Sequence, residues 1–544
     1  MDRARVCWGR HGVVMSAMSR RKLFRISTLG AFAAFGPVVL AACNGTQPTA
    51  ENMPIEKPVL GVQTPEALVP KIETRAPVGP VEKVATRILE KTPVVQKVLQ
   101  PVPQRVTAVI RLANDHSSGS RGDAMRWALQ QMSQEKPHIE IRFEPKNYDY
   151  REAFSLHAAA GTRADLAMLD GGFFNSWVHR GAFSPISEAL TTFEEWNAER
   201  WYAPPDEMSV GQFDDDRFNR KAPHVTGYKG VMFGLPYQGN INGAIYNFTL
   251  MEQQGIPAPI EGKHRLEKEA WDMFRKGTDP EAGTYGLQMY PNPWIVWGSW
   301  ARGTQTSGNH MYRAPDQLRW DLFNDGGDRG FELAIKTLRD GPIAVPLDDI
   351  KTVAGEFSSP FAAGKQVRHW TSGGLGDLTK EVGSRFAWGL GPMEEGNNGP
   401  HSHHFTNQGH YCMAAATTNG IVEECTETLL FLAGEGVQGR IGIDRGSLPM
   451  LKTVVGSDEF KAGPPDNHGY YKTWMDKDDH HHWQNGHPGW WEWYEAFQAA
   501  DSAFAGEVSG EEGMLQIIKT SDRALRNSYE AYVRWRDWVK ALTP

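Results

Sequence analysis

Between Arg105 and Asp170 the chain switches repeatedly between two hydrophobic periods, and this constrains the fold more than any other feature. "RVTAVIRLAND" alternates and then runs apolar like a buried strand, "SRGDAMRWALQQMSQEKP" has helical spacing, and "HIEIRFEP" alternates at period two. "DYREAFSLHAAAG" then reads as helix and "ADLAMLD" as strand. Strand, helix, strand, helix, strand at these spacings predicts a parallel α/β sheet, because parallel neighbours need a crossover long enough to hold a helix. Ligands of such sheets sit beyond the carboxyl ends of the strands. Those ends carry Asn114, Asp115 and His116 after the first strand, and Asp170 to Phe173 after the third. Asp115, Asp170 and Phe173 are therefore candidate ligand residues, with helix capping as the alternative role.

The pattern returns in broken form. "GAIYNF", "YGLQMYP", "FAWGLGPM" and "HYCMAAATT" read as strands, and "FELAIKTLRDG" and "EECTETLLFLAGEGVQGRIG" as helices, which predicts a second α/β lobe. Gln238, Asn240 and Asn242 are short polar residues in a hinge-like stretch between the lobes; the mixture of Asn and Gly there also suits a plain turn.

The N-terminus is of another kind. Arg20, Arg21, Lys22 and Arg25 precede an apolar run of about fourteen residues, the length of a signal peptide's central region and short of the roughly 20 that span a membrane. "SRRKLF" resembles a twin-arginine signal, although paired arginines occur in any basic signal region, so the export route stays open. Leu40-Ala41-Ala42-Cys43 resembles a lipobox, in which cleavage leaves Cys43 lipidated. Prolines then recur to Pro103 with almost no aromatic residue, the composition of a semi-stiff tether. In the body of the mature chain only Cys412 and Cys425 remain; one disulfide could join them, but two cysteines are no disulfide framework. The whole chain carries −8, and residues 1–42 hold seven Lys/Arg and one Asp, so the mature protein is near −14. That balance argues against a nucleic-acid partner and against electrostatic attachment to anionic lipid, leaving the lipid on Cys43 as the membrane anchor.

"KGVMFGLPYQGNINGAIYNFTLMEQQGIPAP" resembles the signature region of the extracellular solute-binding proteins of ABC importers, the maltodextrin-binding-like family 1, through Gly234, Leu235, Pro236, Tyr237, Tyr246, Asn247, Gly255, Ile256 and Pro257. "ADLAMLDGGFFNSWVHRGAFSPI", "LRDGPIAVPLDDIKTVAGEFSSPFAAGKQVRHWTSGG" and "ETLLFLAGEGVQGRIGIDRGSLPMLKTV" resemble further family segments in the family's order, so the likeness runs from about Arg105 to the C-terminus. It implies a two-lobed periplasmic-binding-protein fold, type II-like, with the ligand cleft between the lobes. It also implies a carbohydrate ligand, permease subunits of an ABC transporter as partners, a monomer, and no cofactor. Two departures stand out. Asp165 follows Ala164 where the family usually has proline, and Gly373-Gly374 leads to Leu375 where a ligand-facing tryptophan is common. Trp370, on the strand before, is then a candidate. The expected division is a signal peptide over 1–42, a tether over 43–104, lobe 1 over 105–237, lobe 2 over 238–408, lobe 1 again over 409–455, and lobe 2 helices over 456–544.

A sugar presents hydroxyls around apolar C–H faces, so its site needs aromatic plates beside carboxylates and amides. The 19 tryptophans exceed what an ordinary core needs. "YPNPWIVWGSWARG" spaces Trp294, Trp297 and Trp300 helically after a strand; one or two of them suit a core stripe, and Trp294, nearest the strand end, is the ligand candidate. "DDHHHWQNGHPGWWEWYEAF", from Asp478 to Phe497, raises a metal site as an alternative. His480, His481 and His482 are adjacent, however, so at most two face one way in a strand, and no His pair at i and i+4 supports them. The stretch reads as an exposed loop leading into an aromatic helix, and in the family that loop reaches back to the ligand, which makes Trp490 and Trp491 candidates. No Gly-x-Ser-x-Gly elbow, His-Glu-x-x-His or Walker loop occurs, so no catalytic residue is assigned. A secreted glycosidase-like enzyme ranks second and a metal-receptor lipoprotein third.

Overall fold

The sheet predicted near Arg105 forms, but two of its five strands come from far along the chain. The computed structural model describes residues 106–542 except 147–153, 158–159, 171–173, 175–176, 203–208, 212–229, 242, 290–294, 307–311, 314–318, 372, 398, 401–404, 477–497 and 528. The signal segment, Cys43, the tether, Phe173, Trp294, Trp490, Trp491 and the histidine-rich stretch lie outside the described residues.

In chain order the elements that position the site are β1 (Ala108–Ala113), α1 (Gly119–Glu135), β2 (Ile139–Glu144) and β3 (Leu166–Asp170), followed by β4 (Gly234–Ile241), β5 (Gly243–Asn247) and β6 (Tyr285–Leu287). Helices α2 (Ile295–Thr304) and α3 (Gly327–Arg339) precede β7 (Gln366–Thr371), α4 (Gly376–Val382), β8 (Trp388–Gly391) and β9 (Phe405–Cys412). The chain continues through α5 (Val422–Leu432), α6 (Glu435–Ile443), α7 (Tyr470–Met475), α8 (Gly510–Asn527) and α9 (Tyr529–Leu542).

The first sheet has the order β2-β1-β3-β9-β4. Its first three strands are parallel, with Ala108 opposite Ile139 and Leu112 opposite Leu166. β9 runs antiparallel between β3 and β4, and Gln408 faces Asp170 on one side and Gln238 on the other. The second sheet, β8-β5-β7-β6, pairs β5 antiparallel with β7 and β8, and β7 parallel with β6. The chain leaves the first sheet between Ile241 and Gly243 and returns between Gly391 and Phe405. Gln238 and Asn240 consequently lie on a strand of the first sheet, not in a turn between lobes.

The turn reading failed because β4 is built to be crowded. Gly239 donates its N–H to Leu448 O at 2.8 Å, and a Cβ there would push aside the side chain of Met450, so the strand passes close under that segment. Both faces of the first sheet are buried, which explains the apolar run of β3: Leu166 and Met168 enter one core cluster while Ala167 and Leu169 enter another. Asp165, in the family's proline position, accepts hydrogen bonds from the Arg111 N–H at 2.9 Å and from Asn419 Nδ2 at 2.7 Å, tying β1 to the region after β9. Trp297 and Trp300 are core residues: both are fully buried, Trp297 stacked near Phe323 and edge-on to Phe331, and Trp300 stacked near Phe274.

Candidate functional site at the carboxyl edge of the first sheet

β1 ends where Asn114 N–H reaches across to Glu144 O at 3.1 Å. Asn114 Oδ1 then accepts the His116 N–H at 2.7 Å, and Asp115 O accepts the Ser117 N–H at 2.8 Å, folding the chain into a tight turn before α1. This turn holds Asp115 and His116 at the carboxyl edge of the sheet, with His116 Nε2 3.9 Å from Asp115 Oδ1.

The same edge collects polar side chains from β4 and β9. Asn114 Nδ2 donates to His410 Nε2 at 2.9 Å, which leaves the ring proton of His410 on Nδ1. Gln238 Nε2 donates to Gln408 Oε1 and lies 3.5 Å from His116 Nε2. Tyr237 packs edge-on against His410, with ring centroids 4.4 Å apart, and lies 5.7 Å from the His116 ring. Tyr237, Gln238 and His410 are each at most 1% exposed. Their remaining polar atoms, Tyr237 Oη, Gln238 Oε1 and His410 Nδ1, have no hydrogen-bond partner among the described residues. Buried polar atoms are costly to leave unpaired, so a cluster of three at a ligand edge calls for an occupant.

The cluster is neutral where imidazole would normally titrate. Burial pushes His410 down to about 3. Burial, then the positive charge of Arg121 and the neighbouring His410, hold His116 well below the ordinary histidine value. Burial also raises the Tyr237 phenol. The edge therefore offers a phenolic hydroxyl, an amide acceptor and an imidazole donor with no net change of charge between mildly acid and mildly basic pH.

The second sheet delivers a loop onto this edge. Beyond β7, Leu375 N and Gly376 N both donate to Arg445 O, at 3.0 and 2.7 Å. Arg121 Nε donates to Gly446 O at 2.8 Å and Lys380 Nζ to Ser120 Oγ at 2.9 Å. Gly373 adopts φ +115°, and a Cβ there would come within 2.6 Å of Leu448, so the sharp descent of the loop requires glycine. Leu375 is 1% exposed and buried with the first-sheet core, acting as a clasp where the family's tryptophan would be a platform.

Of the residues expected from sequence, Asp115 and Gln238 come together at this edge. Asn240 is half-buried two residues further along β4, opposite Thr406. Asp170 is placed by register opposite Gln408. Trp370 is half-buried near the carboxyl end of β7, opposite Ala244. Sequence reasoning missed Gln408, His410 and Tyr237. The available signal was the alternation of Gln408 and His410 in "FTNQGHYC", two polar residues on one face of the strand. Among the described residues no group of three His, Cys, Asp or Glu side chains is arranged to hold a metal ion, and no helix is long and apolar enough to cross a membrane.

Solved structures share this architecture. The ABC substrate-binding protein Lmo0181 from Listeria monocytogenes, in complex with cycloalternan, is 14% identical with a TM-score of 0.60, over 77% of this chain and 98% of that one. The sugar-binding protein MalE of Xanthomonas citri is 12% identical with a TM-score of 0.60, over 80% and 100%. The maltose/maltodextrin-binding domain MalE of Bdellovibrio bacteriovorus, bound to maltotriose, is 15% identical with a TM-score of 0.57, over 77% and 100%. At such identities the likeness establishes the two-lobed α/β fold alone. No curated protein matches the sequence. The model of the bacterial extracellular solute-binding protein family matches residues 127–465, which runs from within α1 through every strand of the two sheets but β1 to the segment after α6. By that match the chain belongs to the bacterial extracellular solute-binding proteins.

Proposed function

We propose that the protein is the exported substrate-binding component of an ABC importer, which captures a carbohydrate between its lobes and delivers it to a membrane permease. The observation that carries this reading is the trio of buried, neutral, unsatisfied polar atoms on Tyr237, Gln238 and His410. A sugar hydroxyl both donates and accepts, so it satisfies such a mixed set without bringing a charge into a buried site. The cycloalternan, maltotriose and mannotriose carried by structural neighbours point to the same ligand class.

In this reading Asp115, Gln238 and Asn240 hydrogen-bond the ligand, joined by Asp170. Trp370 stacks on it, with Phe173, Trp294, Trp490 and Trp491 as further aromatic contacts. The lobes divide at the strand switches near 242 and 392–404. Cys43 carries the lipid that anchors the mature, monomeric chain. Ligand bridging the lobes favours the form in which the Leu375 loop is docked on Arg445, and the permease recognises that form.

A thermal-shift screen over mono-, di- and oligosaccharides tests the ligand class, since a molecule that binds only the folded state raises Tm. At least one saccharide should do so; a rise with peptides or metal ions alone would refute the proposal. With that saccharide, Gln238→Ala should bind about tenfold more weakly by calorimetry, the loss expected for one buried hydrogen bond. Unchanged affinity would remove Gln238 from the site. Small-angle scattering should show a smaller radius of gyration with ligand than without. The saccharide should be recovered intact after incubation, and shortened products would favour a glycosidase.

A further inference from the structure

The two body cysteines sit outside the site and outside anything the binding reading uses. Cys412 closes β9, and Cys425 lies in α5, which packs against that strand. Both are fully buried, in the same core cluster, as free thiols. Within that cluster the two thiols interact with one another. The backbone on each side is fixed: Cys412 N–H donates to Phe233 O at 2.8 Å, its carbonyl accepts from Ser184 N–H at 2.9 Å, and Cys425 N–H donates to Ile421 O at 2.9 Å. A bond between the sulfurs would close a short loop and pin the carboxyl end of β9, the strand that bears Gln408 and His410, to the helix covering it.

We infer that Cys412 and Cys425 are joined as a disulfide in the exported protein, the bond forming while the chain folds in an oxidising compartment. The family is extracellular, and such compartments sustain disulfides. The oxidant is a protein disulfide acting by thiol–disulfide exchange. One cysteine thiolate attacks a sulfur of that disulfide, forming a mixed disulfide and releasing one thiol of the oxidant. The second cysteine thiolate then attacks the mixed disulfide at the first cysteine's sulfur and displaces the other thiol. Two electrons pass to the oxidant, and the two protons lost by the cysteines end on its thiols. The timing follows from burial. In the folded core the Cys412 contact and desolvation push the Cys425 thiol far up, so little thiolate exists to react once the core has closed.

The test uses full-length protein recovered from the cell envelope, quenched in acid, denatured, and alkylated without reductant before digestion and mass spectrometry. The expected result is a linked pair of peptides containing Cys412 and Cys425, about 2 Da lighter than the two reduced peptides together. Both cysteines should become alkylatable only after reduction. Recovery of both as alkylated thiols without reductant would overturn the inference, as would linkage of either one to another cysteine. The Cys425→Ser variant, handled in the same way, should expose Cys412 to alkylation. Reduction of the wild-type protein should lower its Tm by several degrees, whereas the variant should show no such response.

Discussion

Glu394→Ala is expected to lower folding stability by about 3–5 kcal/mol, because it strands a buried guanidinium. Arg368, on β7, and Glu394, just beyond β8, are 1% and 0% exposed at their side chains. Arg368 Nε lies 2.7 Å from Glu394 Oε1, and Nη2 donates to Oε2 at 2.9 Å, a two-pronged pair in which each charge depends on the other. Tyr246, opposite Arg368 in register on β5, donates its hydroxyl to Pro392 O at 2.7 Å and closes the pocket. Removing one partner leaves an uncompensated charge in the core of the second sheet. Removing both and filling the space, as in Arg368→Met with Glu394→Leu, should recover most of the loss. Urea unfolding of the three proteins distinguishes the cases. A single variant no less stable than the double would show that Arg368 reaches water or another acceptor when Glu394 is gone.

This pair also shows why part of the molecule could be read from sequence and part could not. The β1–α1–β2 unit was legible because its periodicity is local and its partners are adjacent in the chain. "FAWGLGPM" could be read as a strand for the same reason, yet nothing local says that the glutamate after it is buried against an arginine on β7. The insertion of β9 between β3 and β4 is likewise a long-range pairing, invisible to any window along the chain. That insertion decides the site. It turns Gln408 and His410 from residues near a strand start into the neighbours of Asp170, Gln238 and Asn114. Asp115 was a candidate because the parallel-sheet rule names its position, and Gln238 because it is a short polar residue in a hinge-like stretch. The alternative of turn chemistry for Gln238 and Asn240 gave way to strand pairing, with Gly239 passing against Leu448 and Met450, which sequence composition does not report. Leu375 is the converse case: its departure from the family pattern was visible, and its burial beside Arg445 needed the long-range contacts.

Acidification from pH 7 to pH 5 should destabilise the protein by about 6 kcal/mol through three histidines, His410 and His468 fully buried and His369 half-buried, an amount comparable with the whole stability of many domains. His369, His410 and His468 are each held down to about 3. Burial is the main cause in all three, assisted by Arg368 beside His369 and by Arg445 beside His468, where the Phe460 carbonyl opposes it. The sign follows from proton counts. Between about 3 and the unfolded value near 6.5 the unfolded chain carries these protons and the folded chain does not, so unfolding takes up protons and stability rises with pH. Above about 6.5 the contribution is fully present; below it each histidine forfeits about 1.4 kcal/mol per pH unit, or about 2 kcal/mol by pH 5. Thermal unfolding followed from pH 7.5 to 5 should show a flat Tm and then a steep fall beginning near 6.5. A Tm that is constant to pH 5 would mean that these imidazoles reach solvent or a carboxylate in the folded protein. His410 separates the site from the scaffold in the same experiment. In His410→Gln the proton uptake on unfolding at pH 5 should drop by about one, while the fall caused by His369 and His468 remains. Saccharide should stabilise the wild type more than this variant, because the variant lacks the buried Nδ1–H that the ligand would engage.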